Sequence, residues 1–133
     1  MSENASDAAP YQVLNLAGAI DFLGDVQAVS ELLKPLVLSL SKDTGEIERL
    51  LGEGDMPAVA RTLHSLKGFI PVFCHAEFAG ELAEIEKRSR SDDTLQLRPQ
   101  IEALLHPLRQ LVQESNRFLK QEGHEGARAR TPG

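Results

Sequence analysis

The stretch ARTLHSLKG, residues 60–68, has the spacing of an amphipathic helix. Residues three and four positions apart are neighbours on a helix surface. One face of this helix carries apolar residues, namely Leu63, Leu66 and Ile70. The adjacent face carries His64, Lys67 and Gly68. We therefore expect the apolar residues to be buried and His64 to be exposed, with an ammonium group and a bare Cα beside it.

This combination of side chains favours a particular chemistry at His64. An imidazole can accept a proton, a metal ion or a phosphoryl group. Lys67 favours the phosphoryl group, because an ammonium offsets new negative charge and repels a cation. Gly68 leaves room for a partner surface, and a glycine inside a helix costs about 0.5–1 kcal/mol relative to alanine. A single exposed histidine is usually only a surface residue, so the hypothesis depends on all three residues at these offsets.

Length, composition and charge indicate which classes of protein this sequence is compatible with. The chain has 133 residues, which is enough for one domain with a core. Aromatic residues are 5% and tryptophan is absent, which favours helix packing over a β-sandwich or barrel. The formal net charge is −6, without the basic footprint of a nucleic-acid-binding protein. The first ten residues lack a signal peptide's charge and apolar run, and no stretch approaches a membrane span. We therefore predict a cytoplasmic protein with no nucleic-acid partner and no membrane insertion.

Apolar spacing and capping residues predict four principal helices and a short leading helix. These span Leu16–Leu23, Val26 to about Leu51, about Met56–Ile70, Cys74–Arg90 and roughly Leu95–Leu119. Pro35 is expected to kink or divide the second helix, and Pro71 to bend or end the third nearby. Short connections favour an all-α, antiparallel, up-down four-helix bundle with the short additional N-terminal helix. Residues 11–121 would form this bundle, between a disordered tail at 1–10 and a flexible tail at 122–133.

Several of these residues resemble one known family. Gly54-Asp55 is similar to the turn that precedes the family's active helix, and His64-Ser65-Leu66-Lys67-Gly68 is similar to its His-x-x-Lys-Gly signature. Leu82 and Ile85-Glu86 resemble the pattern on its following helix. Over roughly Leu16–Leu119 the chain thus resembles a histidine-containing phosphotransfer (HPt) domain of two-component phosphorelays. It departs from the family's usual residues at Leu63, Phe69, Ile70, Pro71 and Cys74.

The resemblance implies specific roles for these residues. His64 would be the phosphoacceptor, exchanging a phosphoryl group with an aspartate of a receiver domain. Lys67 would lie beside the phosphoryl oxygens, and Glu86 would orient the imidazole unless it is only a solvated surface carboxylate. The receiver would be contacted by Arg61, Ser65, Lys67 and Gly68. Mg²⁺ is expected on the receiver and not on this chain, for which we expect no cofactor, no ATP site and a monomeric state. The domain would be a phosphoryl carrier, either free-standing or the C-terminal module of a membrane-tethered hybrid sensor kinase.

Other functions stay open at this point. A dimerising histidine-kinase domain usually has an acidic residue after its histidine, where this chain has Ser65. The phosphoacceptor domain of a chemotaxis-type kinase shares the signature, and a non-catalytic helical adaptor would carry an inert His64. A metal site is not expected, because Cys74 and His75 lack further ligands at metal spacing. Cys74 is expected to be a small core residue, and His106 and His124 to be structural or solvated.

Overall fold

The computed structural model describes residues 11–90 and 94–130, although not the side chains at 94, 95 and 123–130. The described residues are mostly helical and include no strand, so the fold class is all-α as predicted. The helices are α1 (Leu16–Leu23), α2 (Val26–Glu53), α3 (Met56–Lys67), α4 (Ile70–Phe73), α5 (Ala76–Ser89) and α6 (Thr94–Arg130). None of these described helices has the length and apolar content needed to cross a membrane.

Three helices begin where their capping residues predict. The side chains of Asn15, Asp25 and Asp55 each accept a hydrogen bond from the backbone N–H three residues later. Each cap satisfies an N–H group that has no partner inside its own helix. The α2 helix ends at Glu53 and is capped by Gly54, whose φ of 75° lies in the left-handed region that favours glycine. The turn into α3 is therefore determined by local sequence.

The end of α3 differs from the prediction. The expected helix Met56–Ile70 stops at Lys67, and the short helix α4 follows it. The backbone N–H groups of Gly68 and Phe69 each bond to a carbonyl three residues earlier, both at 3.2 Å, which tightens the last turn. Pro71 explains the break, because it has no amide to close on the Lys67 carbonyl. The next helix starts at Ala76, two residues later than expected.

Pro35 lies inside α2 without dividing it, so of the two predicted effects the division is wrong and the kink stays a prediction. One further boundary differs. The last helix was expected to end near Leu119, yet α6 continues to Arg130 through part of the segment 122–133 that was predicted to be a flexible tail. No proline interrupts this stretch, and a glycine costs only about 1 kcal/mol in a helix. The predicted tail at 1–10, the connection at 91–93 and the last three residues of the predicted tail at 122–133 lie outside the described residues.

The four longest helices enclose one core. The α2 helix contacts α3 and α6, and α5 contacts the same two helices, so the four contacts form a closed cycle. The largest fully buried apolar side chains are those of Leu14, Ile47, Leu63, Leu66, Ile70, Phe73, Leu82, Leu97, Ile101, Leu108 and Leu111. The short α1 helix contacts α2 and α4. This arrangement places α3 between α2 and α5.

Candidate functional site

The α3 helix presents His64 to solvent. Leu63, Leu66 and Ile70 are fully buried, as their spacing predicts. The His64 side chain is 66% exposed, which confirms the second half of that expectation. Lys67, one turn later on the same face, is 35% exposed. The amphipathic pattern of α3 therefore places the imidazole of His64 and the ammonium of Lys67 on the face adjacent to its buried apolar residues.

Glu86 of α5 joins these two residues. Its side chain is completely buried, so the alternative of a solvated surface carboxylate is wrong. Oε1 of Glu86 lies 3.1 Å from Nζ of Lys67, and Oε2 lies 3.4 Å from Nδ1 of His64. Oε2 also lies 2.9 Å from Nε of Arg90. The packing of α3 on α5 thus gathers His64, Lys67, Glu86 and Arg90, which we call the His64 cluster.

Charge keeps the buried carboxylate of Glu86 ionised. Burying an isolated carboxylate is unfavourable, and burial acts to raise the pKa of Glu86. Lys67, the charge of Arg90 and the His64 contact together outweigh burial and lower that pKa below its ordinary value. Both carboxylate oxygens are buried, so the contacts with Lys67, Arg90 and His64 compensate for the water that they have lost.

The contact with Glu86 distinguishes the two nitrogens of the His64 ring. Nδ1 is the nitrogen that faces the Glu86 carboxylate. A carboxylate accepts a hydrogen bond and cannot donate one when ionised, so the neutral imidazole that fits this contact carries its proton on Nδ1. The proton position is inferred from the contact itself. Nε2 is then left with its lone pair on an exposed ring and is the nitrogen available for nucleophilic attack.

The other predicted partner-binding residues are placed differently. Arg61 and Ser65 are exposed and line a shallow groove between α3 and α2, together with Asp43 and Glu46. They therefore border the His64 cluster on the side away from Glu86. Gly68 is exposed and has ordinary right-handed helical angles, with φ of −67°. A Cβ there would meet only the Ser65 carbonyl oxygen, at 3.3 Å. Gly68 thus contributes open space and not an unusual backbone conformation.

Sequence analysis missed two residues. Arg90 follows Glu86 by four positions, a spacing that favours an ion pair on a helix, and this signal could have found it. Glu114 is 4% exposed and accepts backbone hydrogen bonds from the segment that precedes α1. Glu114 lies three residues after Leu111 and four before Phe118, so the helical spacing places its carboxylate on the inward face of α6. This spacing could have indicated that Glu114 is buried.

The remaining candidates do not form a second site. Among the described residues, no three His, Cys, Asp or Glu side chains group to hold a metal ion. Cys74 is buried, which confirms its prediction as a core residue. Burial, and then the charge of Glu114, raise the pKa of its thiol to about 12, so it is a poor nucleophile. His75 and His106 are exposed.

The chain was compared with known proteins. It matches no protein-family model, and comparisons with curated proteins and with solved structures also find no match.

Proposed function

We propose that this chain is a histidine phosphotransfer domain, in which His64 takes a phosphoryl group from an aspartyl phosphate of a receiver domain and returns it. The observation that carries the proposal is an exposed imidazole whose Nδ1 faces a buried, ionised carboxylate, with two cations beside it. We also infer an antiparallel up-down bundle of α2, α3, α5 and α6, because short connections join helices that contact each other in a cycle.

The proposed reaction is a direct exchange of one bond. The lone pair on Nε2 of His64 attacks the phosphorus, a P–N bond forms, and the P–O bond to the receiver aspartate breaks. The electron pair of that bond leaves as the receiver's carboxylate. The proton on Nδ1 stays in place, so the ring becomes a cation facing the ionised Glu86. Glu86 therefore both orients the ring and stabilises its charge. A receiver would supply its own Mg²⁺ to offset charge on the phosphoryl oxygens, and Lys67 of this chain would add a further positive charge there.

The charges of the cluster suit this exchange. Glu86 carries one negative charge, whereas Lys67 and Arg90 carry one positive charge each, which leaves a local excess of one positive charge. A phosphoryl group adds close to two negative charges at neutral pH. The chain as a whole is acidic, with a net charge of −6. Positive charge is thus concentrated where the proposed product needs it.

A transfer assay tests the proposal. Receiver domains would be phosphorylated with a radiolabelled small-molecule donor in the presence of Mg²⁺ and then mixed with the full chain. We expect label to move to the chain in a form that is lost in acid and kept in base, as a P–N bond requires. Mass spectrometry of the peptide should place it on His64. Label on another residue, or none from any member of a broad receiver panel, would contradict the proposal.

Removing Lys67 should slow transfer by about tenfold, equivalent to about 1.4 kcal/mol. Arg90 remains as a second cation, which limits the loss. The removal of Lys67 should also affect folding, because its ammonium pairs with the buried carboxylate of Glu86. Breaking such a pair destabilises more than removing a surface charge. Lys67→Ala should therefore lower the melting temperature, whereas the exposed control Lys42→Ala should not.

A double variant separates the two effects of Lys67. Lys67→Ala combined with Glu86→Ala leaves no buried charge without a partner, so it should regain part of the lost stability. Its transfer should be slower than that of Glu86→Ala alone, because the ammonium of Lys67 is missing as well. Chemical denaturation and transfer rates measured on the four members of this cycle provide the test. Equal transfer rates for the double variant and Glu86→Ala would show that Lys67 affects transfer only through its pairing with Glu86.

Gly68 tests the docking surface. Gly68→Ala should leave stability nearly unchanged, since the position follows the last residue of α3 and a Cβ comes close only to the Ser65 carbonyl. Gly68→Gln should slow transfer by about tenfold or more, because the longer side chain lies where a receiver would approach. Gly45→Gln is the matched control: it is an exposed helical glycine with nothing near its Cβ position. Full transfer by Gly68→Gln would mean that receivers do not approach over this turn.

A further inference from the structure

A five-residue segment, Tyr11–Asn15, connects two distant parts of the fold, and we call it the strap. Its backbone is held by Glu114 of α6. Oε1 of Glu114 accepts the N–H groups of Val13 and Leu14, and Oε2 accepts the N–H of Gln12, all at 2.9 Å. The side-chain amide of Gln110 donates to Glu114 Oε2 at 2.9 Å and to the Gln12 side chain at 3.1 Å.

The outer end of the strap has contacts of its own with α6. The Tyr11 hydroxyl donates to Oε1 of Gln121 at 3.2 Å. The Arg117 guanidinium lies 4.9 Å from the centre of the Tyr11 ring, which is within cation–π range. These contacts are exposed, whereas the Glu114 carboxylate beneath them is buried. The buried carboxylate of Glu114 therefore holds the middle of the strap, and the exposed contacts of Tyr11 hold its N-terminal end.

The inner end of the strap reaches the segment that follows α3. The Asn15 N–H donates to the Phe73 carbonyl at 2.7 Å, and Leu14 pairs with Cys74 in an antiparallel bridge. Phe73 is the last residue of α4, whose first residue lies only two positions after Gly68. Leu14 and Phe73 are both about 1% exposed, so this junction is also buried. A displacement of the strap would therefore free the backbone at the end of α4, the short helix that follows Gly68.

A carboxylate suits the centre of the strap better than any neutral side chain. Four N–H donors converge on the two Glu114 oxygens. Burial acts to raise the pKa of Glu114, but the bonds from Leu14, Gln12 and Val13 and from Gln110 outweigh it and lower that pKa. A glutamine at this position would offer one oxygen and turn an NH₂ group toward the remaining donors.

We propose that the strap is a latch, closed by Glu114 on α6, whose opening loosens the Phe73–Cys74 junction and so changes how the end of α3 presents Lys67 and Gly68. Its influence on phosphoryl transfer rests on the function proposed above, but the latch itself does not. Such a latch would couple the conformation at Tyr11 to that at His64, which lies more than fifty residues later in the sequence. It would give the site a second conformational state, in which Val13 and Leu14 leave the core of the bundle.

Cys74 reports on this latch directly. It is the only cysteine in the chain, it is 3% exposed, and its backbone pairs with Leu14 of the strap. A thiol reagent therefore labels one site only, and it does so when the junction opens. Labelling at zero and low urea distinguishes local from global opening, because only global unfolding accelerates steeply with denaturant. Hydrogen exchange of the Val13 and Leu14 amides measures the same opening independently of thiol chemistry.

Glu114→Gln is the decisive variant, and Glu102→Gln is its matched control on an exposed part of the same helix. We expect Cys74 labelling and exchange of the two strap amides to accelerate about tenfold or more in Glu114→Gln, because charge-assisted bonds are lost. The control should stay within about twofold of wild type. Tyr11→Ala should also accelerate both, with Glu114 intact. Tyr11→Ala keeps the test valid if Glu114→Gln does not fold. It also excludes the possibility that labelling accelerates only because the charge of Glu114 no longer acts on the Cys74 thiol.

The outcomes separate the latch from the proposed function. Unchanged labelling and exchange in both strap variants would overturn the latch. Faster opening with slower transfer from a phosphorylated receiver, relative to Glu102→Gln, would support the latch and its coupling to the site. Faster opening with unchanged transfer would overturn the coupling. If the wild-type chain accepts no phosphoryl group at all, the proposed function fails, and the labelling and exchange data alone then decide the latch.

Discussion

Replacing His64 by glutamine should abolish phosphoryl transfer and change the melting temperature by no more than about 4 °C. The ring is 66% exposed, so its removal takes little packing from the core. Glu86 keeps its contacts with Lys67 and Arg90, so no buried charge loses all its partners. Glutamine has no nucleophilic nitrogen, because the lone pair of an amide is delocalised. The bond to phosphorus therefore cannot form.

His75→Gln is the matched control for this experiment. His75 is exposed, and its side chain makes no capping hydrogen bond at the start of α5. The same substitution there should leave both transfer and melting temperature unchanged. The measurement is the appearance of acid-labile label on each chain, together with thermal unfolding. Label on the His64→Gln chain would show that another residue accepts the phosphoryl group.

Glu86→Ala should slow transfer by about a hundredfold, because the imidazole loses the group that orients it and stabilises its charge. The bundle should still fold. Lys67 and Arg90 are partly exposed and can turn toward water once the carboxylate is gone. Glu86→Gln keeps the size and one acceptor oxygen but removes the charge. It should fall between wild type and Glu86→Ala if orientation and charge both contribute.

Glu84→Gln is the control, since Glu84 is an exposed carboxylate two residues earlier on α5. Transfer rates of the three variants, measured under single-turnover conditions, separate the chemical step from receiver binding. Equal rates for wild type and Glu86→Gln would show that the negative charge is not needed. Equal rates for wild type and Glu86→Ala would show that Glu86 serves folding alone.

The stability contribution of Glu86 should depend on pH. Folding lowers the pKa of this carboxyl, so its contribution is present above the pKa of an unfolded glutamate and is lost as the pH falls through the folded value. Wild type should therefore be more stable than Glu86→Gln at neutral pH, and the two should converge below the folded pKa. Urea unfolding of both chains across the acidic range measures this. A difference that is constant with pH would mean that the carboxylate is not stabilised by its cations.

Most of the site could be predicted from particular residues. The apolar spacing of Leu63, Leu66 and Ile70 determined which face of α3 is buried and hence that His64 is exposed. The caps at Asn15, Asp25 and Asp55 determined where three helices begin, because a side chain that accepts a nearby backbone N–H acts within its own turn. Such interactions are local, so they can be predicted from the sequence without knowing what packs against the helix.

The tertiary structure alone decided the environment of two carboxylates. The family resemblance suggested Glu86 as a partner of His64, but only the packing of α3 on α5 shows that Glu86 is buried and that Lys67 also reaches its oxygens. Glu114 likewise became an acceptor only because residues a hundred positions earlier return to α6. A glutamate side chain is solvated when nothing packs on its face of the helix, and it is buried when another part of the chain packs there. Whether a carboxylate is buried depends on contacts between residues far apart in sequence, and those contacts exist only after the helices pack.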